Sequence, residues 1–326
     1  MLDCPQQSVE SSRTKGALFL INPSIEFRPI TESNYTRWAG RRNIAHTLAD
    51  RNSFSEGARK VKMSNPAESY ENYMVPALFG PWAARLVQFA NPQPGERVLD
   101  LACGTGIVAR RAAALLKGSG SVTGLDLNPN MLVVARAAAE REQVTINWRE
   151  GRAEQLPFAD NSFDGVLCQF GLMFFADRKA ALAEVHRVLS KRGRLCASVW
   201  QSLDRHPFYE TLHAVIKKRL GKSSLQDISS LGDEAKLRSE LSDAGFGNVQ
   251  IDPVSMTTQF PNPDGFLARE IDLDTAAIPS MQGLDDSARR ALVAAIAEDM
   301  KAPLQEATQG DRVVLQFHAF LAGAEK

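Results

Sequence analysis

The stretch Val98-Leu99-Asp100-Leu101-Ala102-Cys103-Gly104-Thr105-Gly106 decides how the rest of the chain is read. A short apolar run ends in a loop with two glycines, and a helix-forming segment, Ile107 to Lys117, follows at once and closes at Gly118. Glycines in such a loop let backbone pass close to a ligand, and the first N–H groups of the helix face whatever sits there. Twenty residues past Gly106, a second strand-like run, Ser121 to Leu127, carries Gly124-Leu125-Asp126-Leu127 at its end. An acidic side chain at that place accepts hydrogen bonds from both hydroxyls of a ribose.

Outward from this loop the chain alternates. Upstream, Val75 to Ala90 carries apolar residues at helical spacing and is stopped by Pro92 and Pro94-Gly95. Downstream come a helix from Pro129 to Glu142 with proline in its first turn, and strand candidates at Thr145–Trp148, Phe163–Gln169 and Arg194–Trp200. Between the last two, Arg178 to Leu189 places Ala181, Leu182, Val185 and Leu189 on one helical face. Strand and helix in alternation argue for an α/β fold with a parallel sheet covered on both faces. The last third changes texture: helices at Phe208–Leu220, Glu234–Ala244 and Asp285–Leu304, an extended run Asn248–Phe260, and a final strand at Arg312–Leu321. Helices between late strands are placed to cap the carboxyl edge of the sheet.

Composition bounds the function. The 326 residues carry 38 Lys/Arg against 38 Asp/Glu, which removes the usual electrostatic case for a nucleic-acid or anionic-membrane partner. Four cysteines, Cys4, Cys103, Cys168 and Cys196, form neither a disulfide framework nor the paired spacing of a zinc site, so a cytoplasmic protein without a metal is expected. No apolar run approaches the roughly 18–20 residues of a membrane span, and Ala17–Ile21 is too short for a signal-peptide core. Residues 1–62 hold 10 Lys/Arg and 6 Asp/Glu, with every apolar run broken before it reaches a helical period, and read as a loosely ordered extension. Met63 opens a segment that itself looks like a protein start. The expected organisation is an extension at 1–62, a nucleoside-binding core at 63–205, and cap helices with final strands at 206–326 in the same domain.

Two cofactors fit the glycine loop. Gly104-x-Gly106-x-x-Ala109 satisfies the dinucleotide fingerprint, which leaves an NAD(P)-dependent oxidoreductase as the alternative. A carboxylate at Asp100, just ahead of the loop, repels a pyrophosphate and favours the ammonium and sulfonium of S-adenosylmethionine. A charge pair at ~4 Å is worth about 1 kcal/mol in water and several-fold more in a partly dry site.

The segments VLDLACGTG, VTGLDLNPNML, GRAEQLPFADNSFDGVL and RKAALAEVHRVLSKRGRLCASVW, within about residues 70–200, resemble the class I S-adenosylmethionine-dependent methyltransferases. The chain is most similar to the group containing the ubiquinone/menaquinone C-methyltransferases. The resemblance implies a Rossmann-like, doubly wound, mostly parallel seven-stranded sheet with helices on both faces and a helical cap. It also implies that Asp100, Gly104 and Gly106 hold the methionine portion of the cofactor, that Asp126 takes the ribose, and that Leu127 and Met131 flank the adenine. The turn containing Arg152 and Ala153 would lie along the adenine edge, and Gln169 would approach the methionine end. Family members commonly carry an aspartate where this chain has Arg152; arginine is donor-only, so the hydrogen bond that the aspartate accepts from the adenine amino group must come from elsewhere.

Methyl transfer to a hydroxyl, amine or ring carbon releases a proton. The candidate acceptors of that proton are His206, His213, Tyr70 and Tyr73, of which Tyr73 and His206 are carried forward as catalytic candidates; His186 reads as surface or packing. Phe208, Tyr209, Leu212, Val215, Ile216, Phe260, Phe266 and Leu267 supply an apolar wall for a small, partly apolar acceptor. The strand after Cys168 continues Gln169-Phe170-Gly171-Leu172, without the Asp/Asn-Pro-Pro-aromatic tetrad of enzymes that methylate nucleic-acid amino groups. A module that binds the cofactor without turnover is a third alternative, and the sequence sets no oligomeric state.

Overall fold

The computed structural model describes residues 66–221, 223, 225–276 and 285–326. The expectations for residues 1–62 and for a start at Met63 lie outside the described residues. The described chain begins in helix, Pro66–Ser69, continues as a π-helix over Tyr70–Phe79, and passes into helix α1, Gly80–Ala90. Pro76 lies within the wide π-turns, where its missing N–H removes one donor from the ladder.

The core then alternates as anticipated: β1 Arg97–Leu101, α2 Ile107–Leu116, β2 Ser121–Asp126, α3 Pro129–Glu142, β3 Asn147–Glu150, β4 Phe163–Gln169, α4 Arg178–Val188 and β5 Leu189–Trp200. The C-terminal part adds α5 Pro207–Leu220, α6 Glu234–Asp243, β6 Gly247–Pro261, α7 Pro263–Ala276, α8 Asp286–Asp299, α9 Lys301–Ala307, β7 Thr308–Gln309 and β8 Arg312–Glu325. The sheet order is β3-β2-β1-β4-β5-β8-β6, parallel through β5 and antiparallel where β8 meets both β5 and β6. The sheet has eight strands rather than seven. The additional one, β7, is two residues that fold back on β8 through a turn at Gly310, too short to leave a period-two pattern in the sequence.

Strand residues alternate between two apolar layers. Leu99 and Leu101 of β1, Val166 and Cys168 of β4 and Leu195 and Ala197 of β5 face the larger cluster, which takes in α4, α5 and much of the cap. Val98, Leu167 and Cys196 face the second cluster, with Leu86 and Val87 of α1 and Val108 and Ala112 of α2. This period of two, with both faces apolar, is what a sheet sandwiched between helical layers requires. Cys103, Cys168 and Cys196 are free and buried, and burial pushes the Cys168 and Cys196 thiols up to about 12, so they stay protonated.

Trp148 of β3 fixes the start of the sheet. A Cβ on Gly106 would stand 2.3 Å from the indole, and one on Gly124 would stand 2.4 Å from it. Gly124 and Trp148 are register partners on β2 and β3, so the indole lies across β2 and reaches the first turn of α2. Packing against Trp148 thus requires glycine at Gly106 as well as at Gly124. Gly124→Ala is expected to lower stability by about 1–3 kcal/mol, the usual cost of overpacking. Urea denaturation measures this, and the double variant with Trp148→Phe should recover part of the loss; equal stabilities for parent and single variant would refute it.

Candidate active site

The strand order reverses between β1 and β4, the switch point where open α/β sheets bind ligands beyond the carboxyl ends of their strands. A cavity of about 550 Å³ lies there. Ala102 follows β1 and Phe170 follows β4, both in the left-handed region with φ of 56° and 50°, and both line the cavity. Left-handed backbone at residues other than glycine is costly and persists where surrounding structure enforces it, commonly at functional sites.

Of the residues expected at the cofactor, Gly104, Asp126, Leu127, Met131 and Gln169 all line this cavity. Asp126 Oδ2 accepts the Gly104 N–H at 2.7 Å, and Oδ1 accepts the Asn128 N–H at 2.9 Å, so the carboxylate joins the end of β2 to the glycine loop. Burial raises the Asp126 pKa above the ordinary carboxylate value, opposed by those backbone bonds. Leu127 is 55% exposed and borders the cavity. Gln169 donates its Nε2 to the Phe79 carbonyl at 3.1 Å, which fixes the amide orientation. Its Oε1 is buried without a hydrogen-bond partner, an acceptor that the ammonium of a ligand would satisfy.

Arg152 and Ala153 are not among the cavity-lining residues. Arg152 is exposed beside Glu154, at 3.7 Å, and Ala153 packs in the large apolar cluster, so the turn serves the fold rather than the cavity wall. Asp100 also turns away from the cavity. It is 1% exposed, and its Oδ2 accepts the Ala109 N–H at 2.8 Å, capping the first turn of α2, for which Gly106 has no side chain. Burial pushes the Asp100 pKa up to about 8, opposed by the hydrogen bond from the Ala109 N–H.

The charge argument passes to other residues. Asp126 and Glu270 are the only carboxylates among the described residues that line the cavity, and no lysine or arginine stands with them. Such a lining fits a cationic cofactor and resists a pyrophosphate.

The other wall is aromatic. Ring contacts run from Tyr70 to Phe79 at 5.0 Å, Phe79 to Phe170 at 6.0 Å and Phe170 to Trp200 at 3.7 Å. They continue from Trp200 to Phe317 and from Phe317 to Tyr209, both at 5.4 Å. All six rings line the cavity. Of the apolar wall expected from the sequence, Tyr209 and Leu212 line it, whereas Phe208, Ile216, Phe260, Phe266 and Leu267 are buried in the core. Phe79, Phe170, Trp200 and Phe317 were not anticipated, because the first three sit at or just past element ends and Phe317 within β8, places that only the tertiary fold brings together.

The two catalytic candidates are both engaged elsewhere. His206 lines the cavity, but its Nε2 accepts the His318 N–H at 3.0 Å, which places the ring proton on Nδ1, 3.2 Å from the Ser202 carbonyl. Neither ring nitrogen keeps a lone pair for an incoming proton, and burial lowers the pKa besides. Tyr73 does not line the cavity; its hydroxyl makes a long contact of 3.5 Å to the Pro261 carbonyl, and Arg269 stacks 4.0 Å from its ring. Tyr70 does line it, with a phenol that burial and the nearby carboxylates hold well above the ordinary value. His213 and His186 lie outside it.

Glu270 is the ionisable group that sequence reasoning missed. It is 7% exposed and its Oε2 accepts the Tyr209 hydroxyl at 2.9 Å. A signal was present: Phe266, Leu267 and Ile271 form the apolar stripe of α7, and Glu270 falls within that stripe.

A glycine loop, an acidic residue closing β2 and a cavity at the switch point define a nucleoside-binding α/β protein of the Rossmann-like class. A methyltransferase domain model matches residues 99–197. Over 182 residues the chain is 34% identical to the ubiquinone/menaquinone biosynthesis C-methyltransferase UbiE of Chromobacterium violaceum, covering 52% of this chain and 74% of that protein. It is 41% identical over 114 residues to the demethylmenaquinone methyltransferase of Thermus thermophilus, covering 35% of this chain and 51% of that one. The chain thus spans about half the length of that relative and, likewise, 50% of a 2-phytyl-1,4-naphtoquinone methyltransferase of Nostoc. A crystal structure from Bacillus halodurans C-125, of a protein described as a methyltransferase, shares the fold at 23% identity with a TM-score of 0.52, covering 75% of this chain and 98% of that one. The chain belongs to the class I S-adenosylmethionine-dependent methyltransferases, in the group of the ubiquinone/menaquinone C-methyltransferases.

The raised pKa of Asp100 has a consequence for stability. Its carboxyl keeps a proton in the folded chain up to about pH 8, whereas in the unfolded chain it loses that proton near the ordinary 3.8. Between those values the folded state binds more protons, so this residue's contribution favours folding below the lower value and is lost as pH rises through the upper one. Asp100→Asn keeps an oxygen for the Ala109 N–H and does not titrate. Denaturation midpoints of the variant, relative to the parent, should therefore rise from pH 5 to pH 8; parallel profiles would refute this.

Proposed function

We propose that this protein transfers a methyl group from S-adenosylmethionine to a small, partly apolar ring acceptor, at carbon or at oxygen. One observation carries this assignment. A single cavity lined by Asp126, Gly104 and Gln169 is continuous with an aromatic wall ending at Tyr209, and the only charges that line it among the described residues are carboxylates. When bound, the cofactor supplies an electrophilic methyl group on a sulfonium. The chain's own residues bind, orient and exclude water. Asp126 receives the ribose hydroxyls, Leu127 and Met131 flank the adenine, and the Gly104 backbone with Gln169 Oε1 receives the methionine end. The π-helix contributes Tyr70, Met74, Leu78 and Phe79 to the cavity wall, keeping water from the reacting atoms. The aromatic wall holds a flat acceptor in line with the methyl carbon, at the ~3–3.5 Å that productive attack requires.

The relatives' names point to quinone-type rings, and six aromatic side chains in one wall match such a ring. The zero net charge argues against a nucleic-acid acceptor. Three buried free thiols favour a reducing compartment, and we assign the protein to the cytoplasm on that ground. No helix among the described residues is long and apolar enough to cross a membrane.

Calorimetry with S-adenosylhomocysteine and with NAD⁺ tests the cofactor. The homocysteine product should bind and the dinucleotide should not. Asp126→Ala should weaken the former by about tenfold or more, the worth of one or two hydrogen bonds to a charged acceptor. Tighter binding of the dinucleotide, or unchanged affinity in a folded Asp126→Ala variant, would overturn the assignment. Transfer of labelled methyl to a naphthohydroquinone separates an enzyme from a binding module.

A further inference from the structure

One buried cation lies behind the cavity rather than in its lining. Arg110 of α2 is 1% exposed. A guanidinium is costly to bury unless acceptors meet it, and its planar fork can serve several acceptors at fixed angles. Here three elements supply them. Nη1 donates to the Thr105 carbonyl at 3.1 Å, inside the glycine loop. Nη2 donates to Glu71 Oε1 at 2.8 Å, in the first turn of the π-helix. Nε stands 3.2 Å from Glu142 Oε1, at the end of α3. The Glu71 side chain is itself only 10% exposed, so solvent and salt screen this ion pair little.

Each of the three elements carries residues of the cavity wall: Gly104 on the loop, Met131 on α3, and Tyr70, Met74, Leu78 and Phe79 on the π-helix. The π-helix meets the loop a second time through Tyr70, since a Cβ on Gly104 would stand 4.0 Å from that ring. Its last residue is held as well, because Gln169 donates Nε2 to the Phe79 carbonyl at 3.1 Å. The π-helix is thus fastened at both ends to groups at the cofactor end of the cavity, and the first fastening is ionic. A buried ion pair adds little stability over an apolar pair of the same size, so what it contributes here is a fixed geometry. Wide π-turns within a helix frequently accompany functional sites.

We propose that Arg110 is a positioning residue that couples the glycine loop to the π-helix through Glu71, so that cofactor bound at Gly104 sets how firmly the π-helix closes over the reacting groups. This rests on the methyl-transfer reading of the same cavity and adds the residue through which donor binding prepares the wall that Tyr70 and Phe79 form. The coupling is reciprocal, so a π-helix released from Arg110 also weakens the hold on the cofactor.

Amide hydrogen exchange over residues 70–79, with and without saturating S-adenosylhomocysteine, tests this on the full chain, together with calorimetric affinity for that compound. In the parent the compound should slow exchange over 70–79 by about tenfold or more. Glu71→Ala should reduce that slowing below about threefold and weaken the compound's affinity by about fivefold. Protection of residues 100–109 by the saturating compound should persist in the same variant. A tie that served stability alone would raise exchange over 70–79 equally with and without the compound and leave their ratio unchanged. Glu71→Gln keeps an acceptor for Nη2 and should restore most of the slowing. The single ammonium of Arg110→Lys cannot bridge Thr105 and Glu71, so this variant should behave as Glu71→Ala does, and it reports on the coupling if Glu71→Ala does not fold. The proposal is overturned if a folded Glu71→Ala or Arg110→Lys variant keeps the parent's slowing and affinity. Failure of S-adenosylhomocysteine to bind the parent would remove the methyl-transfer reading and the coupling with it; binding of it with a slowing indifferent to Glu71 removes the role of Arg110 alone.

Discussion

The site depends on two aspartate side chains that accept backbone N–H groups. Asp100 takes the Ala109 N–H from the first turn of α2, and Asp126 takes the Gly104 and Asn128 N–H groups from the loops after β1 and β2. The first N–H groups of a helix have no partner within it, and loop amides close to a sheet edge need partners as well. By meeting those needs from the strand ends, the two residues set the path of the glycine loop. They hold Ala102 in a left-handed conformation and present Gly104 at the cavity. The loop is thus part of the sheet's own hydrogen bonding, and the cavity wall it forms is preorganised before any ligand arrives.

A second constraint is the chain of rings. Trp200 of β5 contacts Phe170, Phe317 and Trp82 within 5.7 Å, so the aromatic wall is continuous with the packing of the core. Phe317 and Trp200 lie on the antiparallel pair β8 and β5, and His206 is fastened to β8 through the His318 amide. The histidine that looks catalytic in the sequence is therefore a strut between the entry to α5 and the sheet. Its two ring nitrogens each meet a backbone partner, the Ser202 carbonyl and the His318 N–H.

What was legible in the sequence was local. The glycine loop, the alternation of strands and helices and the acidic end of β2 follow from spacing along the chain, and Gly104, Asp126, Leu127, Met131 and Gln169 line one cavity as their positions suggested. The surroundings of Asp100 were not legible, because burial to 1% exposure and the bond from the Ala109 N–H depend on the tertiary fold, which spacing does not reveal. The side that Tyr73 presents was not legible either: an aromatic ahead of β1 has two sides, and its ring meets Arg269 and Phe260. Glu270 was missed because a single acid in the apolar stripe of a late helix has no motif; only the fold brings it to Tyr209.

The fold does not by itself choose between a dinucleotide and a sulfonium compound, since both cofactors use a glycine loop and an acidic β2 terminus. The difference is charge. A dinucleotide brings phosphates to the first turn of α2 and needs donors or cations there, while here the lining charges among the described residues are Asp126 and Glu270. The rejection of phosphate therefore survives the reassignment of Asp100, resting on a carboxylate that does line the cavity and on the absence of any lysine or arginine among the described lining. Among the described residues the cavity's lining charges are acidic, a field that favours a cationic donor.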